Sequence, residues 1–216
     1  MTLRLAQATF ALLGLHGGAS GLAAPVPSLA PKSWDLDFEF FDPARIEVVL
    51  PGDDRPTVYW YLIYTVTNNS GREVLFYPQF DLVTDTLRVV HGGDNVSPTV
   101  FDAVKKLHAK MHPFLAEPLK VGGKLLQGTD NARTSVALFR DFDPQASKFT
   151  IFVGGLSGEI ARVPNPAFDS AAGESESNPA FFTLRKTLAI PYDLPGDPYT
   201  RRASVPVRGT REWVMR

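Results

Sequence analysis

Between Thr57 and Thr67 apolar side chains occupy both faces of an extended segment. Val58, Trp60, Leu62, Tyr64 and Val66 fall on one side at period two, and Tyr59, Tyr61 and Ile63 on the other. A strand rich in β-branched and aromatic residues with no polar face is covered on both sides, so this segment predicts a central strand of a sandwich. Asn68-Asn69-Ser70-Gly71 closes it with turn formers that tolerate left-handed backbone.

A second pattern precedes it. Trp34, Leu36, Phe38 and Phe40 alternate with Asp35, Asp37 and Glu39, which predicts a strand with one buried and one solvated face. Further strands are predicted over residues 45–50, 73–80, 82–86, 135–140, 148–153 and 181–190, with turn-rich stretches between most of them. One helix interrupts the series over residues 97–112. Ser97 caps it, Pro98 suits its first turn, Val100, Val104, Leu107 and Met111 form its stripe, and Pro113 ends it. About eight short strands and one helix predict a mainly β chain: an antiparallel sandwich of one domain, residues 34–216, with the helix at the sandwich edge. Residues 165–179 are polar, small and acidic and predict a mobile loop. The terminal 25 residues include Trp213, which is costly to leave exposed and is expected to pack back on the sheets.

The first 24 residues change the setting. Arg4, the apolar run from Leu5 to Leu15 and the small residues Gly21, Ala23 and Ala24 have the order of a secretory signal peptide, followed by a Pro-rich spacer over residues 25–33. The chain is therefore expected to be exported, to a periplasm or the exterior, and no later stretch has the apolar length of a membrane span. Cysteine is absent, so no disulfide staples the domain, which favours a bacterial setting. Net charge is −1 over the whole sequence. An average so close to neutral gives no electrostatic reason to expect nucleic acid or an anionic membrane surface as partner.

The run Tyr64-Thr65-Val66-Thr67-Asn68-Asn69-Ser70-Gly71 resembles the strand and turn of immunoglobulin-like sandwich modules in bacterial exported proteins. With its N-terminus, the segment FTIFVGGLSGE at 149–159 and the closing REWVMR at 211–216, the whole chain looks like a member of an uncharacterised family of such proteins. That resemblance implies an immunoglobulin-like antiparallel β-sandwich with one short helix, and no activity.

Candidate chemistry is sparse. His108 and His112 stand four apart on the predicted helix, where both imidazoles reach one side and, with a third ligand such as His91, compose a metal site; solvent-facing histidines are the alternative. The sequence HAKMH lacks the glutamate of a metalloprotease helix. GGLSGE at 154–159 is neither a nucleophile elbow, since Glu159 replaces the final glycine, nor a phosphate loop, so it reads as a glycine turn. Asp35, Asp37 and Glu39 share a strand face that attracts Ca²⁺ only if a neighbouring loop adds oxygens, and otherwise is solvated. Arg201, Arg202, Arg208 and Trp213 form an Arg/aromatic segment of the type favoured at protein interfaces. The residues thus predict an exported binding or structural module with no cofactor. A protein or cell-envelope partner would engage the C-terminal segment or an open sheet edge near Phe76 to Phe80, held open by Pro78. A metal carrier or metal-dependent enzyme built on His108 and His112 is the alternative.

Overall fold

The computed structural model describes residues 24–30 and 32–216, so the predicted signal segment lies almost wholly outside the described residues. The chain is mainly β, as expected. Its strands are β1 (Asp37–Phe40), β2 (Ala44–Val48), β3 (Thr57–Thr67), β4 (Val74–Phe76), β5 (Gln79–Thr84), β6 (Val89–His91), β7 (Gly123–Leu125), β8 (Arg133–Arg140), β9 (Lys148–Gly154), β10 (Ile160–Pro164), β11 (Phe181–Asp193), β12 (Val207–Arg208) and β13 (Glu212–Met215). The helix α1 spans Pro98–Leu107.

Every strand pairing between these elements is antiparallel. In the first sheet β3 is central: β8 runs along one side of it, and β1 and β2 lie end to end along the other. The second sheet has the order β6-β5-β9-β11, with β10 beside the first half of β11 and β12 and β13 on β11's far side. β4 and β7 make a separate short ribbon.

The alternation in β3 sets the layering. Trp60, Leu62, Tyr64 and Val66, with Ala137 and Phe139 of β8, face Leu82, Phe149, Ile151, Val153, Leu188 and Ile190 of the second sheet in one core. On the opposite face Tyr59, Tyr61 and Ile63, with Val136 and Leu138, are covered by Val100, Phe101 and Val104 of α1. The helix therefore lies on the outer face of the first sheet, not at its edge, because that face is apolar and has no other cover. Ser97 caps it as predicted, accepting the Thr99 N–H at 3.3 Å. It ends at Leu107 rather than at 112: beyond Val104 its stripe meets no sheet, leaving Leu107 and Met111 exposed, and a helix of this length depends on packing.

The stretch expected as one edge strand at 73–80 is broken at Pro78, which cannot donate to a ladder. Its first part pairs on one side with β7 in a two-stranded ribbon, while β5 lies between β9 and β6, so the stretch is two strands in two sheets. The C-terminal segment does pack back, pairing with β11. The segment 165–179 is an exposed loop closed by its own bonds: Asn178 donates to the carbonyls of Asp169 and Gly173 and accepts the Asp169 N–H.

A buried charge fastens the two sheets at one end. Lys186 on β11 is 2% exposed, with its Nζ 2.8 Å from Asp35 Oδ2, 3.7 Å from Glu159 Oε2 and 4.8 Å above the Trp213 ring. Ser28 donates its N–H (3.0 Å) and hydroxyl (2.9 Å) to Glu159 Oε1. Burial opposes the charge on Glu159, but these bonds and Lys186 hold its carboxyl below the usual range. Leu36 N–H to Leu156 O and Gly158 N–H to Trp34 O tie the approach to β1 onto the second sheet. Only glycine fits at 158, where a Cβ would stand 2.5 Å from Trp34 Nε1. Asp35 is thus separated from the solvated carboxylate row in which the alternation placed it, while Asp37 remains exposed and accepts from Asn69.

Replacing Lys186 with Met strands two carboxylates beside an apolar core and is expected to cost about 3–5 kcal/mol. Lys148→Met, at an exposed pair with Asp193, should cost less than about 1 kcal/mol. Urea midpoints of the two variants check this.

Candidate functional site

A cleft of about 490 Å³ opens where the two sheets diverge beside β8. Its walls are the β8 backbone from Val136 to Leu138, the start of β5 at Gln79 to Asp81, the turn His91-Gly92-Gly93 after β6, and Pro118 and Leu119. Tyr64 and Phe80 meet inside it with ring centroids 4.9 Å apart. Burial pushes the Tyr64 phenol far above its ordinary range, with a hydrogen bond to Ser135 pulling the other way, so Tyr64 stays neutral at any physiological pH.

Two features give the cleft its chemistry. The first is backbone. β8 has a free side because β3 occupies only one of its edges. The Thr134 carbonyl accepts the Ala116 N–H at 2.9 Å and the Leu138 carbonyl accepts the Gly93 N–H at 2.8 Å, so both residues direct their backbone groups outward. Alternate residues of a strand point the same way, hence Val136 between them also presents N–H and C=O to the cleft. A parallel bridge between Ala116 and Ser135 brings the Ala116 carbonyl in front of the Val136 N–H, so among the described residues the Val136 carbonyl is the outward group left without a partner. The Val136 side chain, 1% exposed, is held in the opposite core, which fixes that backbone in place.

The second feature is a charged rim. The β5–β6 register sets Asp81 opposite His91, and His91 Nδ1 lies 2.6 Å from Asp81 Oδ1. The other carboxylate oxygen is 2.9 Å from Arg216 Nη1, and that guanidinium stands 4.4 Å above the Phe152 ring. His91 is thereby oriented with Nε2 free to meet a ligand. The described lining carries no Ser, Thr, Cys or Lys that an oriented imidazole would activate. The arrangement suits recognition of backbone and polar groups.

The other candidate residues lie elsewhere. His108 and His112 do come together just beyond α1, with ring centroids 6.2 Å apart. His108 Nε2 is 2.9 Å from the Tyr61 hydroxyl, and His112 meets the Phe41 ring edge-on. His91 is at the cleft with Asp81, so it does not join them, and among the described residues no three His, Cys, Asp or Glu side chains gather into a metal-holding group. Arg201 donates to the Gly196 and Gln145 carbonyls, each at 2.8 Å. Arg208 lies 3.4 Å from Asp42 and 5.1 Å above the Phe40 ring, and Trp213 lies under Lys186. These groups hold the C-terminal segment to its own molecule; the Arg202 side chain is outside the described set. Sequence reasoning missed Asp81, Arg216 and Val136. The first was within reach, since a hairpin through Thr86 would pair it with His91.

Comparison with protein-family models, with curated proteins and with solved structures found no match. The reading of this site rests on its geometry.

Burial, and then the neighbouring His112 charge, holds the His108 imidazole below its ordinary value. The unfolded chain therefore binds the proton more readily, and the contribution of His108 to stability is complete above about pH 6.5 and declines as pH falls through the depressed folded value. Melting temperature should drop between neutral pH and pH 5, and His108→Gln, which cannot titrate, should drop less. Equal losses in both proteins would contradict this.

Proposed function

We propose that this chain is an exported, immunoglobulin-like binding module that accepts a short extended segment of a partner polypeptide along the free edge of β8. The observation that carries the reading is the outward C=O of Val136, left without a partner between the Ala116 bridge and the Gly93 turn inside a cleft about 490 Å³ in volume. An unpaired strand edge invites another strand. Here the crossing chain at Ala116 and the turn at Gly93 limit it to a short one. Backbone pairing would supply affinity, as in other additions of a strand to a sheet edge. Specificity would come from the walls: Phe80, Tyr64 and Leu119 for an apolar side chain, and His91, Asp81 and Gln79 for a polar neighbour. The sequence-based expectation of partner engagement at a sheet edge is kept, with the edge moved from Phe76–Phe80 to β8.

Export rests on Arg4, the Leu5–Leu15 run and the small residues before Pro25. The immunoglobulin-like reading rests on two facing antiparallel sheets with an Asn-rich turn after the central strand. Among the described residues no helix is long and apolar enough to cross a membrane.

Selection of a displayed random heptapeptide library on the protein tests the reading. Selected peptides should perturb the Phe80 and Leu119 side-chain resonances and bind at least about tenfold more weakly to Gln79→Arg, at an exposed position on the cleft wall. Leu119→Asp, at a second exposed position on that wall, should weaken the same peptides. Peptides that leave those resonances unchanged, or bind the parent and both variants equally, overturn the proposal.

A further inference from the structure

The near-zero net charge of the chain hides a basic, apolar surface of sixteen residues, 105–120, where α1 ends and the chain turns back toward β8. This segment carries Lys105, Lys106, Lys110 and Lys120 and one carboxylate, Glu117, already paired with Lys120 at 3.0 Å. Among the described residues Lys105, Lys106 and Lys110 make no ion pair, and Lys105 sits 5.7 Å over the Phe101 ring.

Between these cations stand four apolar side chains with little cover from their own molecule: Leu107 is 61% exposed, Met111 70%, Phe114 90% and Leu119 97%. Isolated exposed apolar residues are ordinary, but four within thirteen positions, interleaved with lysines, form a patch that calls for a partner. The exposures say what kind. Side chains that stand almost clear of the surface, separated from one another by Lys, His and Pro, would each need a matching hole in a rigid partner. A fluid one closes around each of them, and its anionic headgroups meet the lysines between.

We propose that residues 105–120 form a peripheral lipid-docking surface, with Leu107, Met111, Phe114 and Leu119 entering the headgroup boundary and Lys105, Lys106 and Lys110 on anionic phospholipid. The chain lies on the bilayer without crossing it. Leu119 also belongs to the cleft wall, so a docked molecule would hold the β8 edge close to the membrane plane.

Co-sedimentation with phosphatidylcholine vesicles, with and without about a third phosphatidylglycerol, tests this. The full chain is used throughout, so that the apolar N-terminal run is common to every sample. Binding is expected on the anionic vesicles, weakening as salt rises, and should fall at least about tenfold in Leu107→Ser/Phe114→Ser and in Lys105→Glu/Lys106→Glu/Lys110→Glu. These positions are exposed, so the variants should keep the parent melting temperature. Equal binding to neutral and anionic vesicles, or no loss in either variant, overturns the proposal. Absence of vesicle binding together with capture of a poly-glutamate peptide, lost in the charge variant, overturns it in favour of an acidic polypeptide. Neither result bears on the β8 edge, because neither multiple variant alters the cleft lining.

Discussion

The whole arrangement follows from a strand that has no wet face. β3 is apolar on both sides for most of its eleven residues, so it is stable only if something covers each side. One sheet cannot do this alone. The second sheet takes Trp60, Leu62, Tyr64 and Val66, and α1 takes Tyr59, Tyr61 and Ile63. β8 repeats the demand in register with β3, Ala137 and Phe139 facing one way and Val136 and Leu138 the other. Helix, sheet and sheet then stack in that order, and α1 has a compulsory place. A one-residue slip of β8 against β3 would exchange the faces of its side chains, and the unlike covers on the two sides make that costly.

Several polar groups buried at the ends of this core have partners. Trp60 is 1% exposed, yet its indole N–H reaches Asp141 at 2.8 Å while its ring stacks on Phe142 and lies under Arg45. Tyr192 is similarly buried and gives its hydroxyl to Asp42 at 3.1 Å. At the other end Lys186 gathers Asp35, Glu159 and, through Glu159, Ser28. A buried ion cluster is weak as a source of stability compared with apolar packing, but it is intolerant of losing one member. Its value is positional. It sets which part of the chain before β1 lies on the second sheet, and so fixes the angle at which the first sheet begins.

Legibility in the sequence tracked how much of each element's burial is local. β3, β9 and the second half of β11 carry strong alternation and were evident, as was the cap of α1, because Ser97-Pro98 is chemistry within two residues. β6, β7 and β10 were not, being three to five residues long with mixed exposure; their pairing is decided by the strand beside them. The segment through Pro78 read as one strand because its apolar pattern runs on, whereas the missing N–H forces a change of partner. The helix end was misread for a related reason: the stripe continues to Met111, but the sheet beneath it does not. Of the cleft, His91 is singled out for metal, and Pro78 and Phe80 as part of an open sheet edge. A free strand edge leaves no trace in residue types, since N–H and C=O are common to all of them, and Val136 differs from Leu138 only in what happens to cross in front of it.

That crossing has a geometric origin. α1 ends on the outer face of the first sheet, while the next long strand, β8, is an edge strand of that same sheet, so residues 108–132 must return around the β8 edge. On the way Ala116 bridges to Ser135, with its N–H on the Thr134 carbonyl, and Pro118 and Leu119 form a cleft wall, which closes one end of the edge and leaves the Val136 carbonyl open. The return also carries the chain past the last point where the sheet can cover it, which is why Met111, Phe114 and Leu119 emerge here rather than elsewhere. One topological requirement thus produces both an unpaired strand edge and an uncovered apolar turn, on neighbouring surfaces. Each of these costs stability in an isolated molecule, the first as unpaired peptide groups and the second as wetted apolar area. A polar turn at 111–119 would remove the second without changing that path. Their occurrence together follows from the path of residues 108–132 around the β8 edge.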